Sequence, residues 1–189
     1  MSHILDEALE RLRGTGTELA GRGAPNHGPM AAEALTALGR EDVVVEGVDR
    51  YCQKLAAMPA SRSPVTVDTW KEALGAIDRV SDWAAFFRTQ LAEAPWRAVF
   101  TEWIGRLLPA TPAAGAHGLL RTAHALRALQ DAETPLRIEE LGAAAGADAQ
   151  GRSPAPLDDP ERDRLRPARP DPGLPRHRLL VPRRAGLER

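Results

Sequence analysis

Residues 81–107 read SDWAAFFRTQLAEAPWRAVFTEWIGRL, and their spacing decides the fold class. Trp83, Phe86, Phe87 and Leu91 fall on one face of a helix, because residues three, four and eight apart stack along a 3.6-residue period. Pro95 interrupts the run. Beyond it Trp96, Val99, Phe100, Trp103 and Leu107 repeat the pattern, so two consecutive amphipathic helices are expected. Their six aromatics, Trp83, Phe86, Phe87, Trp96, Phe100 and Trp103, are expected to meet as core. Helical spacing accounts for these rings without a cofactor-stacking role.

The same period extends outward in both directions. Ile4, Leu5, Ala8, Leu9 and Leu12 form a first stripe behind a Ser2 cap. Met30, Ala31, Ala34, Leu35 and Leu38 form a second, with Pro29 at the first helical position and Gly39 just past the end. Val44, Val48, Tyr51, Cys52 and Leu55 form a third. Thr66 is placed to cap a short helix through Leu74 that Gly75 stops, and Ser81 to cap the helix of Trp83. A strong helix is expected over about residues 116–132, and Thr134 with Pro135 opens another that loses definition near Gly146. No segment alternates convincingly as a strand. The predicted class is all-α, an irregular helical bundle.

Composition divides the chain of 189 residues unevenly. All eight aromatics lie between Tyr51 and Trp103. Residues 151–189 hold ten arginines and eight prolines, a density that blocks regular hydrogen bonding and leaves too little apolar surface to offset ordering. The expected organisation is a helical part over 1–146 and a disordered Arg/Pro-rich tail over 147–189. With 25 basic and 26 acidic residues the net charge is -1, which disfavours nucleic acid and anionic membrane as partners. No stretch approaches a membrane span, and the N-terminus lacks the apolar run of a signal peptide. The lone Cys52 excludes an internal disulfide and suits a reducing cytosol, so the expected location is cytoplasmic.

Phosphate loops, dinucleotide fingerprints and nucleophile elbows are absent, which leaves the histidines to carry any chemistry. His27 sits in the turn Pro25-Asn26-His27-Gly28-Pro29, where glycine and proline fix the backbone beside it. That turn is either a platform for a ligand or a means of satisfying its own backbone. His117, Arg121 and His124 share one helical face roughly opposite Leu119 and Leu126, and Asp131 extends the stripe. It could line a polar cavity or form the wet side of the helix, and spacing alone favours the wet side. Residues seven apart rise about 10.5 Å, so His117 and His124 are badly placed to grip one ion together.

The segments Leu5-Asp6-Glu7-Ala8-Leu9, Asn26-His27-Gly28-Pro29-Met30-Ala31-Ala32-Glu33-Ala34-Leu35, Asp82-Trp83 to Phe87 and His117-Gly118-Leu119-Leu120-Arg121-Thr122-Ala123-His124-Ala125 resemble, in order and spacing, the questin oxidase-like family. The resemblance covers about residues 4–145. It implies an α-helical oxidoreductase that oxygenates a small aromatic polyketide of the anthraquinone type, with NADPH and a histidine-bound non-haem iron as cofactors. Carried over by motif, His27 and His117 match metal-ligand histidines, His124 is a third candidate, and Arg121 is available to an anionic group of the substrate. The family's later histidine region and lysine have no counterpart here. Family members are longer, and the departure falls near Gly146, where the composition becomes that of GC-rich DNA read out of frame. A truncated or frameshifted chain, inactive for want of half its site, is the expectation. The alternative is a non-catalytic helical fragment that binds a protein partner, or a second copy of itself, through uncovered apolar surface.

Overall fold

A computed structural model describes residues 3–20, 25–107 and 116–149. The tail expected over 147–189 lies outside them beyond Ala149, as does the Ser2 cap. Eight helices and one short ribbon make up the described fold: α1 (Ile4–Leu12), β1 (Thr15–Leu19), α2 (Gly28–Ala37), α3 (Val44–Cys52), β2 (Leu55–Ala57), α4 (Trp70–Ala73), α5 (Val80–Glu93), α6 (Trp96–Leu107), α7 (His117–Asp131) and α8 (Pro135–Ala149). The class is all-α, as the periodicity predicts. Among the described residues no helix is long and apolar enough to cross a membrane.

The ribbon departs from the sequence reading, which expected no strands. β1 and β2 pair antiparallel, with Thr15 opposite Ala57 and Leu19 opposite Leu55. Leu55 therefore leaves the third helical stripe, because α3 ends at Cys52 and the chain straightens into β2. Gly16 is needed here: a Cβ on it would stand 3.0 Å from the Ala57 carbonyl oxygen. Only a few residues long, and carrying Gly16 and Glu18 in β1, the ribbon shows too little alternation to be recognised by pattern.

Two expected caps are replaced by other contacts. Ser81 lies inside α5, behind Val80, and its hydroxyl donates to the Pro59 carbonyl. Thr66 accepts the amide protons of Asp68 and Thr69 (3.3 and 3.2 Å), so it shapes the turn ahead of α4 rather than the helix itself. Gly75 does terminate that segment, at φ +82°, and its amide donates to the Ala149 carbonyl at 2.7 Å. α8 thus stays helical three residues past Gly146.

The core has three packed regions. Trp83, Phe86, Phe87 and Trp103 meet with Ala145 and Ala149 of α8, and Trp70 packs on them. Leu5, Ala8, Leu9 and Leu12 pack against Ala32, Val44, Val48 and Ala128. The third holds Ala125, Leu129, Leu141 and Ala144. Trp96 and Phe100 pack against this third region, so the six aromatics do not form one cluster. Trp103 meets the α5 rings directly, Phe86 at 4.8 Å, whereas Trp96 and Phe100 of the same helix pack on the region shared by α7 and α8.

Candidate functional site

Asn26 builds the site. Its backbone amide donates to the Thr17 carbonyl (2.7 Å), its side-chain amide donates to Gly16 O (2.9 Å), and its Oδ1 accepts from the Gly28 amide (2.9 Å). The side chain is fully enclosed, at 1% exposure. The turn before α2 is thereby locked to β1. Gly28 has no room for a side chain, since a Cβ would lie 2.7 Å from Leu12 Cδ2, 3.0 Å from Asn26 Oδ1 and 3.1 Å from Tyr51 Cε1. Tyr51 completes the turn by accepting the His27 amide proton on its hydroxyl at 3.0 Å.

His27 and His117, ninety residues apart, come into edge-to-face contact with ring centroids 4.8 Å apart and an interplanar angle of 74°. Carbonyl oxygens only accept, and this fixes both neutral tautomers. His27 Nδ1 donates to Pro25 O (2.9 Å), which leaves Nε2 with a free lone pair. His117 Nε2 donates to Asn26 O (3.2 Å), which leaves Nδ1. Burial first, then the neighbouring His27 and Arg121, push the His117 pKa down to about 4, against the opposing pull of the Asn26 carbonyl. At neutral pH His117 is therefore an uncharged base.

The wet-side reading of α7 fails for His117 and Arg121 and holds for Asp131, whose side chain is 64% exposed. His117 and Arg121 are buried at 8% and 7% exposure, while Leu119 and Leu120 face outward. Spacing could not show this, because it depends on partners from distant segments that compensate buried polar groups. Arg121 is held by Glu140 of α8 through Nε to Oε1 (2.7 Å) and Nη2 to Oε2 (2.8 Å). One edge of its guanidinium is thus committed, and an incoming anion would have to displace Glu140 or use the other edge.

His124 does not join the pair. Its Nδ1 donates to Glu33 Oε2 (2.6 Å), and Arg127 grips the same carboxylate through Nε at 2.6 Å. Burial would raise the Glu33 pKa, but the hydrogen bonds from Arg127 and His124 outweigh it and hold the carboxyl below its ordinary range. Glu33 was not singled out by sequence, although its place in the same motif as His27, six residues further on, was the available signal.

The residues fit an iron ion in part. An imidazole bound at about 2.1 Å has its centroid about 3.2 Å from the ion, so two such rings separated by about 90–110° have centroids about 4.5–5.2 Å apart. The observed 4.8 Å lies in that window and equally within the ordinary range of edge-to-face ring packing. Among the described residues no group of three His, Cys, Asp or Glu side chains converges to complete a set. NADPH finds less: the described strands form a single antiparallel pair, so there is no βαβ crevice of the kind that commonly cradles a dinucleotide. Comparison of the chain with protein-family models, with curated proteins and with solved structures finds no match.

Proposed function

We propose that the chain is the N-terminal part of an oxygenase of the questin oxidase-like type, acting on an aromatic polyketide, with His27 and His117 as two of the ligands to a non-haem iron. The observation that supports this is the ring contact between two histidines from separate motifs, each with one nitrogen tied to a carbonyl and the other left as a lone pair. Iron held there would supply the activation of dioxygen. The chain's own part is to present two imidazoles, with His117 kept uncharged by burial and its neighbours. His124 supports the arrangement from outside by anchoring α7 to Glu33 of α2.

Two imidazoles without further ligands hold an ion weakly. The test is titration of the purified chain with cobalt(II), a coloured stand-in for ferrous iron, beside a His27→Ala, His117→Ala double variant. Weak binding of one equivalent with a visible ligand-field band, lost in the double variant, is expected. Equal binding by parent and variant would remove these histidines as ligands. A second reading, a helical fragment that binds another protein, is favoured by Leu119 and Leu120, which stand exposed next to the site. Where the partner is a second copy of the chain, self-association in sedimentation that a Leu119→Asp, Leu120→Asp variant of unchanged helicity loses would support it.

A further inference from the structure

A cleft of about 680 Å³ opens between α1, β1, α5 and α8, beside the loop that follows β2. Its size is that of a small-molecule site. Leu9, Leu12 and Leu136 wall it, and the small side chains of Ala84, Ala85 and Ala143 are what leave the space. Charged side chains from α1, α5, α7 and α8 share the lining, and their pairing decides what the cleft accepts.

These charges cancel locally. Arg121 holds Glu140, with side chains only 8% and 12% exposed. Arg13 binds both oxygens of Glu139 (Nε to Oε1 3.3 Å, Nη2 to Oε2 2.9 Å) and is also reached by Glu10 at 3.4 Å. Arg88 pairs with the same Glu139 at 3.9 Å. Three guanidinium groups are thus balanced by three carboxylates, and a charged ligand would have to break a pair or stand beside a like charge. The hydroxyls are committed as well. Thr15 donates to the Leu12 carbonyl (2.6 Å), Ser61 to Asp82 and Ser81 to the Pro59 carbonyl, so toward a ligand these oxygens only accept. The guanidinium groups only donate. The cleft therefore offers both donors and acceptors around apolar walls, and no net charge.

We propose that this cleft binds an uncharged, largely apolar alcohol, with its carbon skeleton on Leu9, Leu12 and Leu136 and its hydroxyl at the Arg88–Glu139 pair. A hydroxyl donates and accepts from the same atom, so it takes a proton from Arg88 and gives one to Glu139 without displacing either. A carboxylate only accepts, and would lie against Glu139 and Glu140. An ammonium only donates, and would meet the guanidinium groups. The site does not involve the histidine pair, and it stands or falls independently of iron.

Calorimetric titration of the full chain with 2-naphthalenemethanol, beside 2-naphthoate and 2-naphthylmethylammonium, tests the proposal with one ring and three charges. The alcohol is expected to bind about tenfold or more tighter than either ion. Ala85→Trp, on the exposed part of α5, should fill the cleft and abolish that binding with helical dichroism unchanged. Glu139→Gln tests the charge balance itself, since it removes one negative charge and keeps an acceptor oxygen. It should tighten 2-naphthoate by about tenfold and change the alcohol by no more than about threefold. Failure of the alcohol to bind would overturn the proposal. So would equal affinity for alcohol and ions, alcohol binding indifferent to Ala85→Trp, or a Glu139→Gln chain that holds 2-naphthoate no more tightly than the parent.

Discussion

Asn26 carries more of the candidate site than either histidine. Its side chain bridges β1 and the start of α2, and its backbone carbonyl receives the His117 ring. Asn26→Ala would leave the Gly28 amide and the Gly16 carbonyl without these partners in a buried place, and should cost about 2 to 4 kcal/mol in urea unfolding. A loss under about 0.5 kcal/mol would mean that the turn holds its shape unaided. His117 gives a pH prediction of definite sign. Its folded pKa of about 4 lies below the ordinary 6.5, so between those values the unfolded chain binds more protons than the folded one. The groups that face it, His27 and Arg121, act in the same direction as burial. This stability is present above about pH 6.5 and is lost as pH falls toward 4, by about 2 kcal/mol between pH 7 and pH 5. His117→Gln should flatten that slope, whereas a slope equal to the parent's would assign it to other groups. The motifs around His27 and His117 were legible in the sequence because each is a local pattern. Their meeting is what the resemblance implies for two ligands of one ion, and the rings do touch. The diversion of His124 and Arg121 to carboxylates ninety-one and nineteen residues away was not legible, because it depends on which segment packs opposite α7.

Helix α5 shows how pairs of elements set the packing. Phe87 is 2% exposed, stacks beside Trp83 at 5.9 Å and meets Trp103 edge-on at 5.8 Å. Phe87→Ala should cost about 3 to 5 kcal/mol, read as a shift in denaturation midpoint, and a near-neutral result would place that ring at an open surface. α8 crosses close by, since a Cβ on Gly142 would stand 2.8 Å from Leu91 Cδ1 and 3.2 Å from Phe87 Cβ. Leu91 can turn away, but the Phe87 backbone side cannot. The stripes that announce α1, α2, α5, α6 and α7 were legible because an apolar face three or four turns long leaves a clear period. α8 was expected to fade at Gly146 because Gly-Ala runs carry little period, yet Gly146 is close-packed, with room for a Cβ only 3.4 Å from that of Trp83. The β1–β2 ribbon escaped notice for the opposite reason: its pairing joins segments some forty residues apart and leaves no trace in either one alone.

At the scale of the whole described unit, Arg137 ties the first helix to the last. It is 1% exposed, and donates to Asp6 of α1 (2.9 Å), to Asp131 of α7 (2.9 Å) and to the Ala128 carbonyl (2.8 Å). Thr134 adds a hydrogen bond to the same Asp6 at 3.0 Å. These contacts join the packed region of α1 to α8, and α8 in turn carries the aromatic region of Trp83 and Trp103. Arg137→Ala removes a buried guanidinium with three hydrogen bonds and leaves Asp6, 17% exposed, without its cation, so it should cost about 2 to 3 kcal/mol. The position of the tryptophans makes the consequence readable. All four lie between residues 70 and 103, so their fluorescence reports on the aromatic side, while far-ultraviolet dichroism reports on every helix. In the parent chain the two signals should lose structure at the same urea concentration, as expected when α8 couples the regions into one cooperative unit. In Arg137→Ala both midpoints should fall together, because the lost link lies on the helix they share. If the dichroism midpoint alone fell while tryptophan fluorescence held, α1 would be an independently melting element. The histidine turn that packs beside it would then rest on a less stable support than the aromatic core.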